Sequence, residues 1–182
     1  MNIISTNIFD VFILEPKVFN DVRGFFLESW NKKNFKNLTK IDTKFVQDNH
    51  SRSQKGVLRG LHYQLTKPQG KLVRVTQGKV LDVVVDLRKS SSTFGKHVAV
   101  ELSDKNHKQI WAPAGCAHGF LVLSKSADFI YKTTEYYAFE DEHSILWNDP
   151  DLNIDWQLDG IKPKLSTKDK QAKSFKDAPK YD

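Results

Sequence analysis

The chain has 182 residues, of which 39% are hydrophobic and 12% aromatic, with one cysteine and a formal charge of +6. That length suits one domain with a substantial core, and the lone Cys116 excludes an intrachain disulfide framework and fits a reducing compartment. The charge does not argue for nucleic acid, because residues 162–182 hold seven lysines and three aspartates and leave +2 on the remainder. A lysine-rich tail of this kind reads as a solvated surface segment, without the arginine clustering and groove-reading helix of a DNA binder. Met1–Thr6 lacks a basic, apolar leader pattern and no later run reaches membrane length. A cytoplasmic protein with no membrane association is expected.

In chain order, Ile8–Glu15 is β-prone and stops at Pro16. Phe19–Gly24 reads as a turn feeding a strand over Phe25–Trp30, and Asn31–Leu38 as a short helix. Phe45–Ser51 is extended and grows polar along its length. Val57–Gln64 is strand-like but carries Arg59 and His62 three residues apart. On a regular strand that spacing sends two side chains to opposite faces. Gly60 between them permits a bend, since a glycine inside a strand pattern often marks a bulge or a close backbone approach. Leu72–Thr76 and Lys79–Leu87 are strands, and Gln77-Gly78 between them is a tight hairpin signal. In the second strand Leu81, Val83, Val85 and Leu87 share one face, with Asp82 and Asp86 on the other.

His97–Leu102, Gln109–Ala112, Phe120–Ser124, Asp128–Thr134 and Ser144–Trp147 supply further short strands. From Asn148 the chain is turn-rich, and Thr167–Phe175 has helical character. Many short strands separated by Gly, Pro and Asn/Asp predict an all-β sandwich or barrel, in a single domain over residues 1–182.

The most specific local motif is Pro113-Ala114-Gly115-Cys116-Ala117-His118. Its Pro and Gly fix a turn that presents His118 towards a barrel interior. The pattern resembles the second signature of the cupins, where this histidine often binds a metal. The first cupin signature supplies a paired H-x-H, whereas Leu61-His62-Tyr63-Gln64 has one histidine. Two histidines fall short of the three or four protein ligands that zinc or non-haem iron needs. A cupin-like jelly-roll barrel without metal is therefore expected.

A lone imidazole in a barrel suits general-base chemistry and needs an acceptor on its other nitrogen. Asp82, Asp86 and Asp169 are all candidates, and the residues alone do not rank them. Lys71 is placed to stabilise an oxyanion, or is simply a solvated lysine beside a turn. Arg23 and Arg59 stand beside glycine and apolar residues. They suit a diphosphate, which guanidinium binds in bidentate fashion, or else a structural ion pair. Tyr131, Tyr136 and Tyr137 offer a proton donor, a stacking platform, or plain packing. The absence of P-loop, G-x-G-x-x-G, G-x-S-x-G and H-E-x-x-H patterns removes the commonest nucleotide, hydrolase and metalloprotease readings.

Taken in order, these stretches resemble the dTDP-4-dehydrorhamnose 3,5-epimerases, a family of the cupin fold. The stations run from Asp21-Val22-Arg23-Gly24-Phe25-Phe26 through Gln47-Asp48-Asn49-His50-Ser51 to Leu58-Arg59-Gly60-Leu61-His62-Tyr63-Gln64. They continue with Gly70-Lys71-Leu72-Val73-Arg74, Asp82-Val83-Val84-Val85-Asp86-Leu87-Arg88 and Pro113-Ala114-Gly115-Cys116-Ala117-His118. Tyr131-Lys132-Thr133-Thr134, Trp147-Asn148-Asp149-Pro150 and Ser166-Thr167-Lys168-Asp169 complete the set.

The resemblance implies a thymidine diphosphate 4-keto-6-deoxyhexose as substrate and inversion at C3 and C5 through an enolate, with no cofactor. It implies His62 as base, Asp169 as its orienting carboxylate, Lys71 as enolate stabiliser and Tyr131 as the acid on the opposite face. Arg23, Arg59 and Lys168 are implied at the diphosphate or nearby sugar. His118 lines the pocket, Tyr137 stacks on thymine, and Phe19, Glu28, Gln47, Asn49 and Glu142 contact nucleotide or sugar. A homodimer exchanging its N-terminal strands (residues 1–30) is implied as well, with Arg23 and Glu28 serving the partner's site. Cys116 stands where the family commonly has Phe, and Thr167 where Lys is frequent. The alternatives are a C3-only or C5-only epimerase and a non-catalytic sugar-nucleotide-binding cupin.

Overall fold

Strand-forming residues dominate the computed structural model, which describes residues 1–182. The elements are β1 (Asn2–Ser5), β2 (Phe12–Glu15), β3 (Val18–Asp21), β4 (Gly24–Leu27), α1 (Lys32–Thr39), β5 (Gln47–Gln54) and β6 (Leu58–Gln64). They continue as β7 (Lys71–Gln77), β8 (Lys79–Asp86), β9 (His97–Ser103), β10 (Gln109–Ala112), β11 (Cys116–Val122), β12 (Ser126–Thr133), β13 (Glu142–Ser144) and α2 (Thr167–Lys170). One sheet runs β1-β2-β10-β7-β12-β5 and the other β13-β6-β11-β8-β9, while β3 and β4 form a separate hairpin. The two antiparallel sheets make the all-β jelly-roll sandwich expected of a cupin, and no helix is long and apolar enough to cross a membrane.

Period-two alternation explains how β8, between β11 and β9, serves two cores. Val80 and Val84 enter the core between the sheets with Val73, Ile110, Phe120 and Phe129. Leu81, Val83 and Val85 face the other way, into a second core formed with Leu58, Leu61, Tyr63, Trp156 and Ala178. Both faces of the strand are therefore buried. A third cluster of Leu14, Phe35, Leu72 and Trp111 sits where α1 covers the outer face of the six-stranded sheet. Asn31 caps that helix by accepting the Asn34 N–H at 3.0 Å, and Lys40 ends it with a φ of +64°.

Several elements differ from the sequence-based expectation. Residues 8–15 do not form one strand: Thr6 accepts the Ile8 N–H and donates to the Val11 carbonyl, and Asp10 turns at a φ of +63°. The Phe19–Gly24 stretch is not all turn, since Val18–Asp21 pairs with Gly24–Leu27. Gln77-Gly78 does not close a hairpin, because β7 and β8 lie in different sheets. Gly78 turns the chain from one sheet to the other at a φ of +77°, where a Cβ would meet the Ser126 carbonyl at 2.0 Å. A two-residue glycine link serves a sandwich corner as well as a hairpin, and the local sequence does not separate them.

The expected helix over Thr167–Phe175 shrinks to four residues, after which Lys173 bridges to Ile145. Nor is the C-terminal segment a free solvated tail. Most of its lysines are exposed, but Lys168 turns to the cavity rim, Ala178 and Asp169 are buried and Tyr181 bridges to Arg88, strapping the segment over the five-stranded sheet.

The bend expected at Gly60 is present as a β-bulge. His62 pairs with His118 and Arg59 with Phe120, so β6 spends two intervening residues against the single Gly119 of β11. Gly60 has a φ of +131°, and a Cβ on it would meet the Gly119 Cα at 2.5 Å. Side-chain addition here combines overpacking with backbone strain, so Gly60→Ala is expected to lower stability by about 2 kcal/mol or more. Urea denaturation of the variant measures this, and a loss below about 0.5 kcal/mol would contradict the packing described.

Candidate active site

The bulge keeps Leu58, Leu61 and Tyr63 in the outer core and turns Arg59 and His62 together into the space between the sheets. A cavity of about 340 Å³ opens there. The five-stranded sheet supplies Arg59, His62 and His118. From the six-stranded sheet come Asn49, Lys71 and Tyr131, while Glu142 of β13 and Lys168 of α2 complete the rim. Phe120 and Phe129 stack at 3.9 Å between ring centroids and form its apolar floor.

His62 Nε2 lies 2.5 Å from Asp169 Oδ1. Asp169 is only 2% exposed, and its Oδ2 accepts from the Ser166 hydroxyl at 2.7 Å. Ser166 also caps α2 by accepting the Asp169 N–H, so this short helix fixes the carboxylate from both sides. Burial alone would raise the Asp169 carboxyl, but the His62 bond and charge and the Ser166 hydroxyl hold it below the usual carboxylate range. An ionised carboxylate only accepts, so Nε2–H is the donor to it, and it is Nδ1 that carries the lone pair of the neutral imidazole. Of the three acids left open by the sequence, Asp169 alone meets His62. Asp82 instead accepts from His118 Nε2, with its two oxygens at 2.9 and 3.0 Å. Asp86 is bound by Arg88, Ser91 and Thr93.

Lys71 is buried, and desolvation pushes its ammonium down to about 8 against the upward pull of Glu142 and Asp82. Of its two sequence readings, the solvated lysine is the one the fold removes. Tyr131, on the wall opposite His62, is raised by burial and then by Glu142, which keeps its hydroxyl protonated at neutral pH. Arg59 bonds Ser53 through Nε and Nη2, each at 3.2 Å, and pairs with no carboxylate. Its charge is thus free for an anion. Glu142 would be raised by burial, but Lys168, His62 and Tyr137 together lower it. At the mouth, Gln47 donates to Asn49 and accepts the Tyr137 N–H, while the Tyr137 ring stays half exposed.

Three expected site residues lie elsewhere in this chain. Arg23 pairs with Asp21 on the exposed β3–β4 turn, and Phe19 sits on the same hairpin. Glu28 accepts from Asn31 and Asn34 at the start of α1. Sequence reasoning missed Ser166 as a support of Asp169, Ser53 as a support of Arg59, and Asp82 as the partner of His118. The Ser166-x-x-Asp169 spacing is itself a helix-start signal that marks the first of these. Cys116 is no nucleophile, since burial pushes its thiol up to about 12. No three His, Cys, Asp or Glu side chains are grouped so as to hold a metal ion.

The family model described as dTDP-4-dehydrorhamnose 3,5-epimerase matches residues 5–177. The enzyme of that description from Pseudomonas aeruginosa is 57% identical over 169 residues, covering 93% of each chain. Among solved structures, a dTDP-6-deoxy-D-glucose-3,5-epimerase from Legionella pneumophila in complex with dTDP-4-keto-L-rhamnose superposes with a TM-score of 0.95. It is 53% identical and covers 100% of this chain and 98% of its own. A 3'-monoepimerase from Streptomyces bikiniensis in complex with dTDP-quinovose is more distant. It is 34% identical with a TM-score of 0.88, over 93% of this chain and 85% of its own.

The depressed Lys71 makes a stability prediction with a definite sign. Its ammonium titrates near 10.5 in the unfolded chain and about 8 in the fold, so the unfolded state binds more protons between those values. Stability therefore rises with pH across that window, by about 3 kcal/mol at most. Denaturation at a series of pH values is expected to show this rise in the wild type. Lys71→Met should be the more stable protein below pH ~8 and should lack the rise. Parallel curves would place Lys71 in water.

Proposed function

The chain belongs to the dTDP-4-dehydrorhamnose 3,5-epimerase family, and from that membership we propose that its cavity holds the substrate sugar between His62 and Tyr131. The protein is a carbohydrate epimerase that inverts C3 and C5 of dTDP-4-dehydro-6-deoxy-D-glucose, giving dTDP-4-dehydro-L-rhamnose. The C4 ketone acidifies the protons on both neighbouring carbons. His62 Nδ1 takes such a proton, and the C–H electron pair passes through the carbon skeleton onto the C4 oxygen as an enolate. Asp169 holds the imidazolium that results, and the Lys71 ammonium faces the enolate oxygen. Each enolate is reprotonated from the opposite face, at C5 by Tyr131, which regains its proton from solvent, and at C3 by a solvent proton, while His62 releases to solvent the proton it took.

Arg59 and Lys168 are assigned to the diphosphate, Tyr137 to stacking on thymine, and Gln47, Asn49, Glu142 and His118 to contacts with nucleotide or sugar. Arg23, Phe19 and Glu28 serve the same site only if a second copy supplies them. A homodimer with exchanged N-terminal strands accounts for the otherwise exposed apolar hairpin of Phe19, Val22, Phe25 and Phe26. The observation that carries the reading is the 2.5 Å His62–Asp169 contact through Nε2, which leaves Nδ1 for the substrate in a cavity also lined by Tyr131 and Lys71.

In an assay coupled to a rhamnose-forming reductase, nicotinamide oxidation is expected with the wild type. His62→Ala should lose about two to four orders of magnitude in kcat, and Asp169→Asn a comparable factor through the wrong tautomer. Turnover by His62→Ala within about tenfold of wild type would remove the base assignment. The basic limb of kcat/KM is expected near pH 8, where Lys71 loses its proton, and a plateau through pH 10 would exclude its ammonium from the reaction.

A further inference from the structure

Glu142 joins the nucleotide end of the cavity to the base. Its Oε2 accepts from Lys168 Nζ at 2.6 Å and from the Tyr137 hydroxyl at 2.9 Å, and its Oε1 lies 3.9 Å from His62 Nδ1. The side chain is only 12% exposed. Two neighbouring residues of α2 thus reach the same assembly: Lys168 binds Glu142, and Asp169 binds the far nitrogen of His62. Contact with substrate does not by itself require this arrangement, because Oε2 is already engaged by protein groups while Oε1 faces the nitrogen that must take up a proton.

The charges around that nitrogen explain why an acid is needed there. Lining the cavity with His62 are the cations Lys71, Lys168 and Arg59, the neutral Tyr131 and the imidazoles His50 and His118, while Asp169 occupies Nε2. Glu142 is the one carboxylate on the Nδ1 side. Without it, an imidazolium would form among three cations with a single acid to offset them, and like charges disfavour the protonated state.

We propose that Glu142 is a positioning residue for the base. Its carboxylate, 3.9 Å from Nδ1, offsets the positive charge that His62 acquires in each turnover, while the same group fastens Lys168 and Tyr137 at the nucleotide end. This deepens the epimerase reading and rests on it for the role of His62.

Glu142→Gln preserves the shape and the acceptor for Tyr137 but removes the charge. NMR titration of the His62 ring in the ligand-free protein is expected to show its midpoint falling by about one pH unit in this variant. In turnover, the acidic limb of kcat/KM should move to lower pH by about the same amount, with kcat reduced about tenfold. Glu142→Asp keeps the charge and should recover most of the wild-type midpoint. An unchanged midpoint accompanied only by a raised KM would overturn the proposal and leave Glu142 as a substrate contact. Should Glu142→Gln not fold, Lys168→Met reads the same coupling with the opposite sign. Loss of that cation is expected to raise the His62 midpoint, and no change would overturn the proposal. The ring titration does not depend on turnover, so a wild type that fails to epimerise would fail the functional reading separately.

Discussion

The approach of Gly60 to Gly119 is the constraint on which the site depends. A Cβ at either position would collide with the opposing backbone, Gly60 with the Gly119 Cα at 2.5 Å and Gly119 with the Arg59 carbonyl at 2.7 Å. The contact accommodates the bulge in β6, and the bulge cancels the parity of a three-residue spacing. Arg59 and His62, which a regular strand would send to opposite faces, therefore look into one cavity. Leu58, Leu61 and Tyr63 remain in the outer core. Arg59 and His62 share a wall because two glycines allow two backbones to touch.

Around that wall the fold separates charges by burial and partnership. His62 and His118 stand opposite each other in register, and each gives its Nε2 to a carboxylate of a different element, Asp169 on α2 and Asp82 on β8. Lys71 is desolvated enough to bring its ammonium down to about 8, still charged at neutral pH, whereas Arg59 has only a serine hydroxyl for company. The cavity is thus basic where an enolate and a diphosphate would lie. Its acids are spent on orienting imidazoles and on fastening the rim.

Much of this was legible in the sequence, for reasons that differ by residue. Period-two patterning gave β8 both its faces, and Gly60 inside an apolar run signalled the bulge. The missing second histidine at Gln64 turned the reading away from a metal cupin. The sequence could not rank Asp82, Asp86 and Asp169 as partners of His62, because the choice depends on how a segment more than one hundred residues downstream folds back, a contact with |i−j| of 107. Resemblance to the family supplied that ranking, and the geometry now accompanies it. Gln77-Gly78 misled because a hairpin and a sheet-to-sheet corner ask the same thing of two residues. The C-terminal segment misled through composition: most of its lysines are solvated, but Lys168 reaches the cavity and Asp169, Ala178 and Tyr181 are tied to the body of the fold. Arg23, Phe19 and Glu28 could be matched to the family by motif, yet a single chain does not bring them to its own cavity.

The central claim is that one base, His62, serves both carbons. Its most direct test is position-resolved deuterium incorporation from heavy water into the substrate and product sugar, followed by NMR. The account predicts label at both C3 and C5 with the wild type and at neither with His62→Ala. Exchange surviving at one carbon in His62→Ala would reveal a second base and contradict the account.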